Sequence, residues 1–177
     1  MKRGYHPPLT ITRRGLLVRG NDVEFRRLIY RLLLVEERLR HVRAFLGRRI
    51  GLTGPQYTLL ITLAYLQGAT GIPVQSLARN LRVTSAFITG ESRRLIERGL
   101  LAKRRNPHDS RSTLLSVTAA GRRRIEEVVP EVRRVNDLFF QGVTKDSFRH
   151  AKRFLEQLLD GSAQAMAQIA HREGRHA

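Results

Sequence analysis

The sequence predicts a mainly α (α+β) fold, and three observations carry that expectation. Apolar residues recur at helical spacing on both sides of the chain's middle, from residue 21 and again from residue 118. Between them lie two short helical patterns, one from Val74 to Leu81 and one capped by Thr84 and running to Arg98, joined only by Arg82-Val83. Directly afterwards, Leu100 to Arg105 and Ser112 to Val117 read as two short strands about a turn-rich basic tip. Two helices about a tight turn, followed by a hairpin, is the order of a winged helix-turn-helix.

The elements follow in order. Residues 1–20 read as a basic arm, because Gly4, Pro7-Pro8, Gly15 and Gly20 break any helix while Arg13, Arg14 and Arg19 are interspersed. Asn21 followed by Glu24 predicts a capping box. Phe25, Leu28, Ile29, Leu32, Leu33, Leu39, Val42 and Leu46 then mark a long helix to about Gly47. Its apolar stripe is wide enough to pack on more than one neighbour, a partner chain included. Thr53-Gly54-Pro55-Gln56 opens a second helix that stops before Gly68. Gly99 suits the residue just past the helix that ends at Arg98. Thr118 caps a helix to about Gly142 in which Pro130 removes one amide donor and is expected to cause a kink. Thr144 starts the last helix, with Phe148, Phe154, Leu155, Leu158, Leu159, Met166 and Ile169 on its apolar side. The polar tail, 171–177, is expected to fray.

Composition narrows the partner. The 177 residues carry 33 Lys and Arg against 15 Asp and Glu, a net charge of +18. Such an excess makes a folded domain repel itself unless it meets a polyanion, nucleic acid or anionic membrane. The excess lies in the first two thirds; residues 122–177 hold 11 basic and 8 acidic side chains, the mixed surface of solvated helices. Only Lys2, Lys103, Lys145 and Lys152 are lysines, and the arginine bias suits bidentate phosphate and base contacts, although a GC-rich genome also produces it. The absence of cysteine excludes disulfides, thiolate metal sites and thiol redox sensing. No apolar run reaches the roughly 18–20 residues of a membrane span. The start has neither an apolar signal-peptide region nor a cleavage site, so a cytoplasmic location is expected. An enzyme is disfavoured: the six His (His6, His41, His108, His150, His171 and His176) lack metal-ligand spacing, and no phosphate-cradling loop or nucleophile elbow is present. No cofactor is expected.

Within the helix-turn-helix, Leu77, Ala78, Leu81, Val83, Ile88 and Leu95 are expected to hold the two helices together. That turns Ser85, Ala86, Thr89, Gly90, Arg93 and Arg94 outward on the second helix. Small residues near its start permit close entry into a major groove, and the two arginines suit guanine edges or phosphates. Gly90 costs about 1 kcal/mol of helix propensity relative to Ala, so either the backbone approaches DNA closely there or the position has drifted.

The chain resembles the multiple antibiotic resistance regulator (MarR) family over about residues 22–170. The residues that carry the resemblance are Gly51-Leu52-Thr53, Leu77-Ala78, Val83-Thr84, Arg94-Leu95 and Gly99-Leu100-Leu101. Strongest is the wing run Arg104-Arg105-Asn106-Pro107-His108-Asp109-Ser110-Arg111 with Val117-Thr118-Ala119-Ala120-Gly121. The family usually has Asp at the position of Asn106 and Leu at that of Val117. The resemblance implies a homodimer with residues 21–50 and 119–170 as the helical dimerisation region and 51–118 as the DNA-binding region. It implies a sequence-specific regulator of a pseudo-palindromic operator in double-stranded DNA, mostly a repressor released by a small aromatic or acyl-CoA-type ligand. DNA contacts are expected from Thr84, Ser85, Ala86, Thr89, Gly90, Arg93, Arg94, Arg105, His108, Asp109 and Arg111, with Asp109 orienting Arg111 through a salt bridge. Tyr30, Arg38, His41 and Tyr57 are the candidate ligand residues. A non-specific, nucleoid-type architectural protein is the alternative, since it would share both charge and fold.

Overall fold

The computed structural model describes residues 7–174; the first six residues of the predicted arm and the last three of the predicted tail lie outside them. The helices are α1 (Val23–Arg49), α2 (Gly54–Leu66), α3 (Val74–Leu81), α4 (Ser85–Glu97), α5 (Ala119–Phe139) and α6 (Lys145–Glu173). The strands are β1 (Ile72–Pro73), β2 (Leu101–Asn106) and β3 (Asp109–Val117). The chain divides into two compact units, Met1–Arg133 and Arg134–Ala177, with the boundary inside α5.

The first unit is built on α2. Thr53 accepts the amide of Gln56 while the Gln56 side chain accepts the amide of Thr53, the reciprocal cap that the sequence predicts. From that cap Leu59, Leu60 and Leu63 project into a core where each is at most 1% exposed. Leu77 of α3, Ile88 and Leu95 of α4, Leu115 of β3 and Val128 of α5 fill the same core, together with Leu46 and Ile50 from the end of α1. The strands form an antiparallel sheet in the order β1-β3-β2. Hydrophobic period does not reveal β1: two residues, one of them Pro, carry no alternation, yet Ile72 pairs with Leu115 and Pro73 with Leu114.

Two predicted helix ends differ from the structure. The box at Asn21 and Glu24 does not form; the residue before α1 is Asp22, and the Asn21 side chain accepts the Val23 amide instead. Asp22 is buried because it anchors the arm. Its Oδ2 accepts the backbone N–H and the hydroxyl of Thr10, both at 2.7 Å, and its Oδ1 accepts from Arg26. Arg26 also donates to the Pro8 carbonyl. These bonds, Thr10's first and Arg26's second, hold the carboxyl far below the ordinary carboxylate range. A depressed folded pKa stabilises fully above the unfolded value of about 4, and the contribution is lost as pH falls through and below it. Asp22→Ala is therefore expected to speed amide exchange at Thr10 at neutral pH, and wild type to approach the variant only in acid. Equal exchange in the two proteins at neutral pH would rule the anchor out. At the other end, α6 continues to Glu173 rather than fraying from His171.

In the second unit, Thr144 caps α6 by accepting the Ser147 amide at 3.2 Å. None of the residues of α6 is buried: Phe148, Leu155, Leu158, Leu159, Met166 and Ile169 are all exposed, as are Leu138, Phe140 and Val143 before it. An apolar array of that size on a folded surface marks an interaction face.

Candidate nucleic-acid interface

The candidate reading element is α4, and the turn before it fixes its direction. Arg82 adopts a left-handed conformation, φ 55°, which closes α3 and brings the Val83 amide to the Ala78 carbonyl at 3.1 Å. Thr84 then caps α4, its hydroxyl oxygen accepting the Phe87 amide at 3.1 Å. Ile88, Ser92 and Leu95 turn into the core. On the opposite face Ser85, Ala86, Thr89, Arg93 and Arg94 are exposed and Gly90 is half-buried. A Cβ built on Gly90 meets nothing within 4 Å, so packing does not require glycine there. Thr89 donates its hydroxyl to the Ser85 carbonyl, and Arg94 pairs with Glu91 at 3.2 Å across one helical turn.

The hairpin is tighter than the sequence suggests. Instead of a six-residue tip, Asn106 pairs with Asp109 about a two-residue turn, Pro107-His108. The Asn106 side chain accepts the His108 amide at 3.0 Å, so Asn performs the local bond that an Asp would make. Asp109 does not form the expected ion pair with Arg111: its carboxylate accepts the Arg111 backbone N–H at 3.1 Å, ordering the strand and leaving the guanidinium to point elsewhere. Arg105, His108, Asp109 and Arg111 are all exposed. At the wing's base, Arg104 donates to the Thr70 carbonyl at 2.6 Å.

Helix and wing enclose one groove of about 470 Å³. Ser85, Thr89 and Arg93 line it from α4, and Arg111 lines it from β3. Gln75, Glu97, Lys103, Ser112 and Thr113 also line it, and none of the five is among the contacts expected from the sequence. A period-two count from Arg111 would have found Thr113, because alternate residues of a strand share a face. Leu115, next in that series, supplies part of the apolar floor with Val74 and Ile96.

The candidate ligand residues are not gathered. Tyr30 is 70% exposed near Leu9 and Arg26. It lies eleven residues before His41 on one helix, about 16 Å along the axis. Arg38 is exposed. His41 is exposed and bonded through Nδ1 to the Glu37 carbonyl at 3.0 Å. Tyr57 is buried in the core, and burial pushes its phenol pKa up. A different cleft of about 390 Å³ lies between α1, α2 and the turn before α4. Arg40, Arg43, Thr58, Leu81, Val83 and Phe87 are among its walls. Glu37 accepts three contacts from Arg40, which hold the Glu37 carboxyl below and the Arg40 guanidinium above their ordinary values.

Residues 52–113, the segment from α2 through the wing, match the sequence model of the MarR family. Over that segment the chain is similar to the MarR family. YdgJ of Bacillus subtilis (strain 168), named an uncharacterized HTH-type transcriptional regulator, is 34% identical over 82 residues, 46% of this chain and 50% of that protein. The chain spans 50% and 65% of the length of two curated relatives that it matches. Among solved structures, a MarR crystal structure is 27% identical with a TM-score of 0.56, covering 74% of this chain and 96% of that one. CouR from Rhodococcus jostii RHA1, solved with p-coumaroyl-CoA, shares the fold at 24% identity and a TM-score of 0.67, covering 74% and 90%. These MarR-type structures have the mainly helical, winged helix-turn-helix architecture found here. Among the described residues no helix is long and apolar enough to cross a membrane.

Proposed function

We propose that this chain is a transcriptional regulator that binds double-stranded DNA through α4 in the major groove and the β2–β3 tip in the adjoining minor groove. The observation that carries the reading is the single groove in which Arg93 of the helix and Arg111 of the wing face one another with Lys103. Cations converging from two elements match a phosphate strand running between two grooves, while Ser85, Ala86 and Gly90 leave room for base edges. Thr84, whose oxygen accepts the helix cap, contributes through its hydroxyl proton; Arg94, Arg105, His108 and Asp109 complete the interface. The exposed apolar face of α6 supports homodimerisation through the helical region, so two copies of α4 meet successive half-sites of a pseudo-palindrome. The expected location is the cytoplasm.

Ligand control belongs to the cleft of Arg40, Arg43 and Phe87 rather than to the four residues first expected. Phe87 sits in the first turn of the reading helix, so a ligand wedged there shifts the helix that contacts DNA. CouR binds p-coumaroyl-CoA, an aromatic acyl thioester. The two arginines here suit the carboxylate or phosphate of such a compound. Repression with release by an aromatic acid or its CoA ester is the regulatory scheme this supports.

Selection of bound genomic fragments followed by footprinting tests the reading. A discrete protected palindrome, released by aromatic acids or their CoA esters, is the expected result. Uniform protection without sequence preference would favour the architectural alternative and overturn sequence-specific control.

A further inference from the structure

The groove beside α4 leaves a second group of arginines, at the other end of that helix, without a role. Three helix ends converge there. Arg48 and Arg49 form the last turn of α1, and Gly51 just beyond them accepts a hydrogen bond from Arg98, the residue that closes α4. Gly99 in turn accepts the Thr118 hydroxyl at 2.7 Å, and one turn later α5 presents Arg122 and Arg123. All five arginines are exposed, and no carboxylate lies within ion-pair distance of any of them among the described residues. The neighbouring Arg124 is the one neutralised, by Glu127 at 2.8 Å. Arg98 and Arg122 also donate to backbone carbonyls, of Gly51 and Val117, which orients them and cancels no charge.

Helix stability does not account for this arrangement. Arg48 and Arg49 complement the negative end of α1, but the arginines near the start of α5 oppose its dipole, and no acid in the first turn offsets them. We infer that the five arginines form a second phosphodiester-binding surface of the DNA-binding unit, on the end of α4 opposite its reading end. The inference rests on the DNA-binding reading above. Its chemistry selects the partner. No large apolar side chain is exposed in the cluster; Gly51, Gly99 and Ala119 are exposed beside the arginines, as are Glu97 and Glu126, neither of them ion-paired with any of the five among the described residues. A protein partner would need an apolar or aromatic centre, whereas a phosphate backbone needs only charge and hydrogen-bond donors. Every cation in it is Arg, which grips phosphate in bidentate fashion.

The surface begins thirteen residues after Ser85, about 20 Å along α4, and one helical turn beyond Arg94. The phosphates that reach it therefore belong either to the flank of the bound duplex, bent towards the unit, or to a second duplex. Among the described residues, the exposed Arg49 and Arg123 make no side-chain bond that the fold uses, so the double variant Arg49→Gln/Arg123→Gln in the full chain tests the surface. The probe is a selected duplex, trimmed to its footprint or extended by about two helical turns on each side. On the trimmed duplex, the two proteins are expected to have equal affinity and equal salt dependence. On the extended duplex, the wild-type slope of log K against log salt steepens by about 0.9 per added phosphate contact, and the variant's does not. If a second duplex is the source, extension changes neither slope. Wild type alone then retains a labelled second duplex on an immobilised first one. Identical behaviour in both assays overturns the inference, including in favour of an acidic protein partner. Failure of wild type to bind the trimmed duplex would instead overturn the DNA-binding reading itself.

Discussion

Gly121→Ala is expected to destabilise the first unit by about 3–5 kcal/mol, a large share of the roughly 5–15 kcal/mol available to a domain. A Cβ at this position would lie 2.2 Å from the Leu100 carbonyl oxygen and 2.7 Å from a Val117 methyl. The first neighbour is backbone and cannot rotate away. It is also in use, since the Leu100 carbonyl accepts both the amide and the hydroxyl of Thr118 at 3.1 Å. Relieving the clash therefore pulls α5 off the base of the wing and weakens two hydrogen bonds besides the overpacking itself. Gly90→Ala is the matched control. Its added methyl meets nothing, its backbone is not left-handed, and helix propensity favours Ala by about 1 kcal/mol. Denaturant midpoints should move in opposite directions for the two variants. A Gly121→Ala protein within about 0.5 kcal/mol of wild type, the range of ordinary surface changes, would mean that the contact relaxes freely.

The same glycine shows what the sequence makes legible. Thr118 and Gly121 stand out as a cap and a small residue near a helix start, but only the packed structure shows that the glycine is required by a carbonyl from a different element. Local chemistry reads well where partners are close in sequence: the cap at Thr53 and Gln56, the cap at Thr84 and the bounds of α3 depend on neighbours within a turn. It reads poorly where a distant residue competes. Asn21 and Glu24 lose their box because Thr10, twelve residues before Asp22, supplies the stronger partner for the next residue. The outward face of α4 follows from helical period alone. The groove beside it does not, because Lys103 and Thr113 reach it through strand register. Tyr57 illustrates the limit for the ligand site: an amphipathic ring suits a cleft wall or a core equally well, and Leu60 and Leu63 on the same helix decide for the core.

Arg93→Ala and Arg111→Ala are each expected to weaken DNA binding by about 1–3 kcal/mol for every copy that touches DNA, with stability unchanged to about 0.5 kcal/mol. Stability should hold because both side chains are exposed and neither supports the core. A dimer loses both copies at once, so the total effect is about double that of one contact. Salt dependence then separates the two roles. A residue bound to phosphate releases counterions, and its loss lowers the slope of log K against log salt by about 0.9 per copy. A residue that reads a base edge changes affinity mainly at one operator position and relaxes specificity there. Arg93 sits on the third turn of α4, beyond the small residues that admit the groove, and is expected to behave as the phosphate-binding member. Arg111 lies just past the wing tip, where Asp109 fixes its backbone and not its guanidinium. That freedom suits the minor groove, so its replacement should reduce discrimination between A·T and G·C pairs beside the half-sites. Unchanged affinity of both variants at physiological salt would remove α4 and the wing from the interface together.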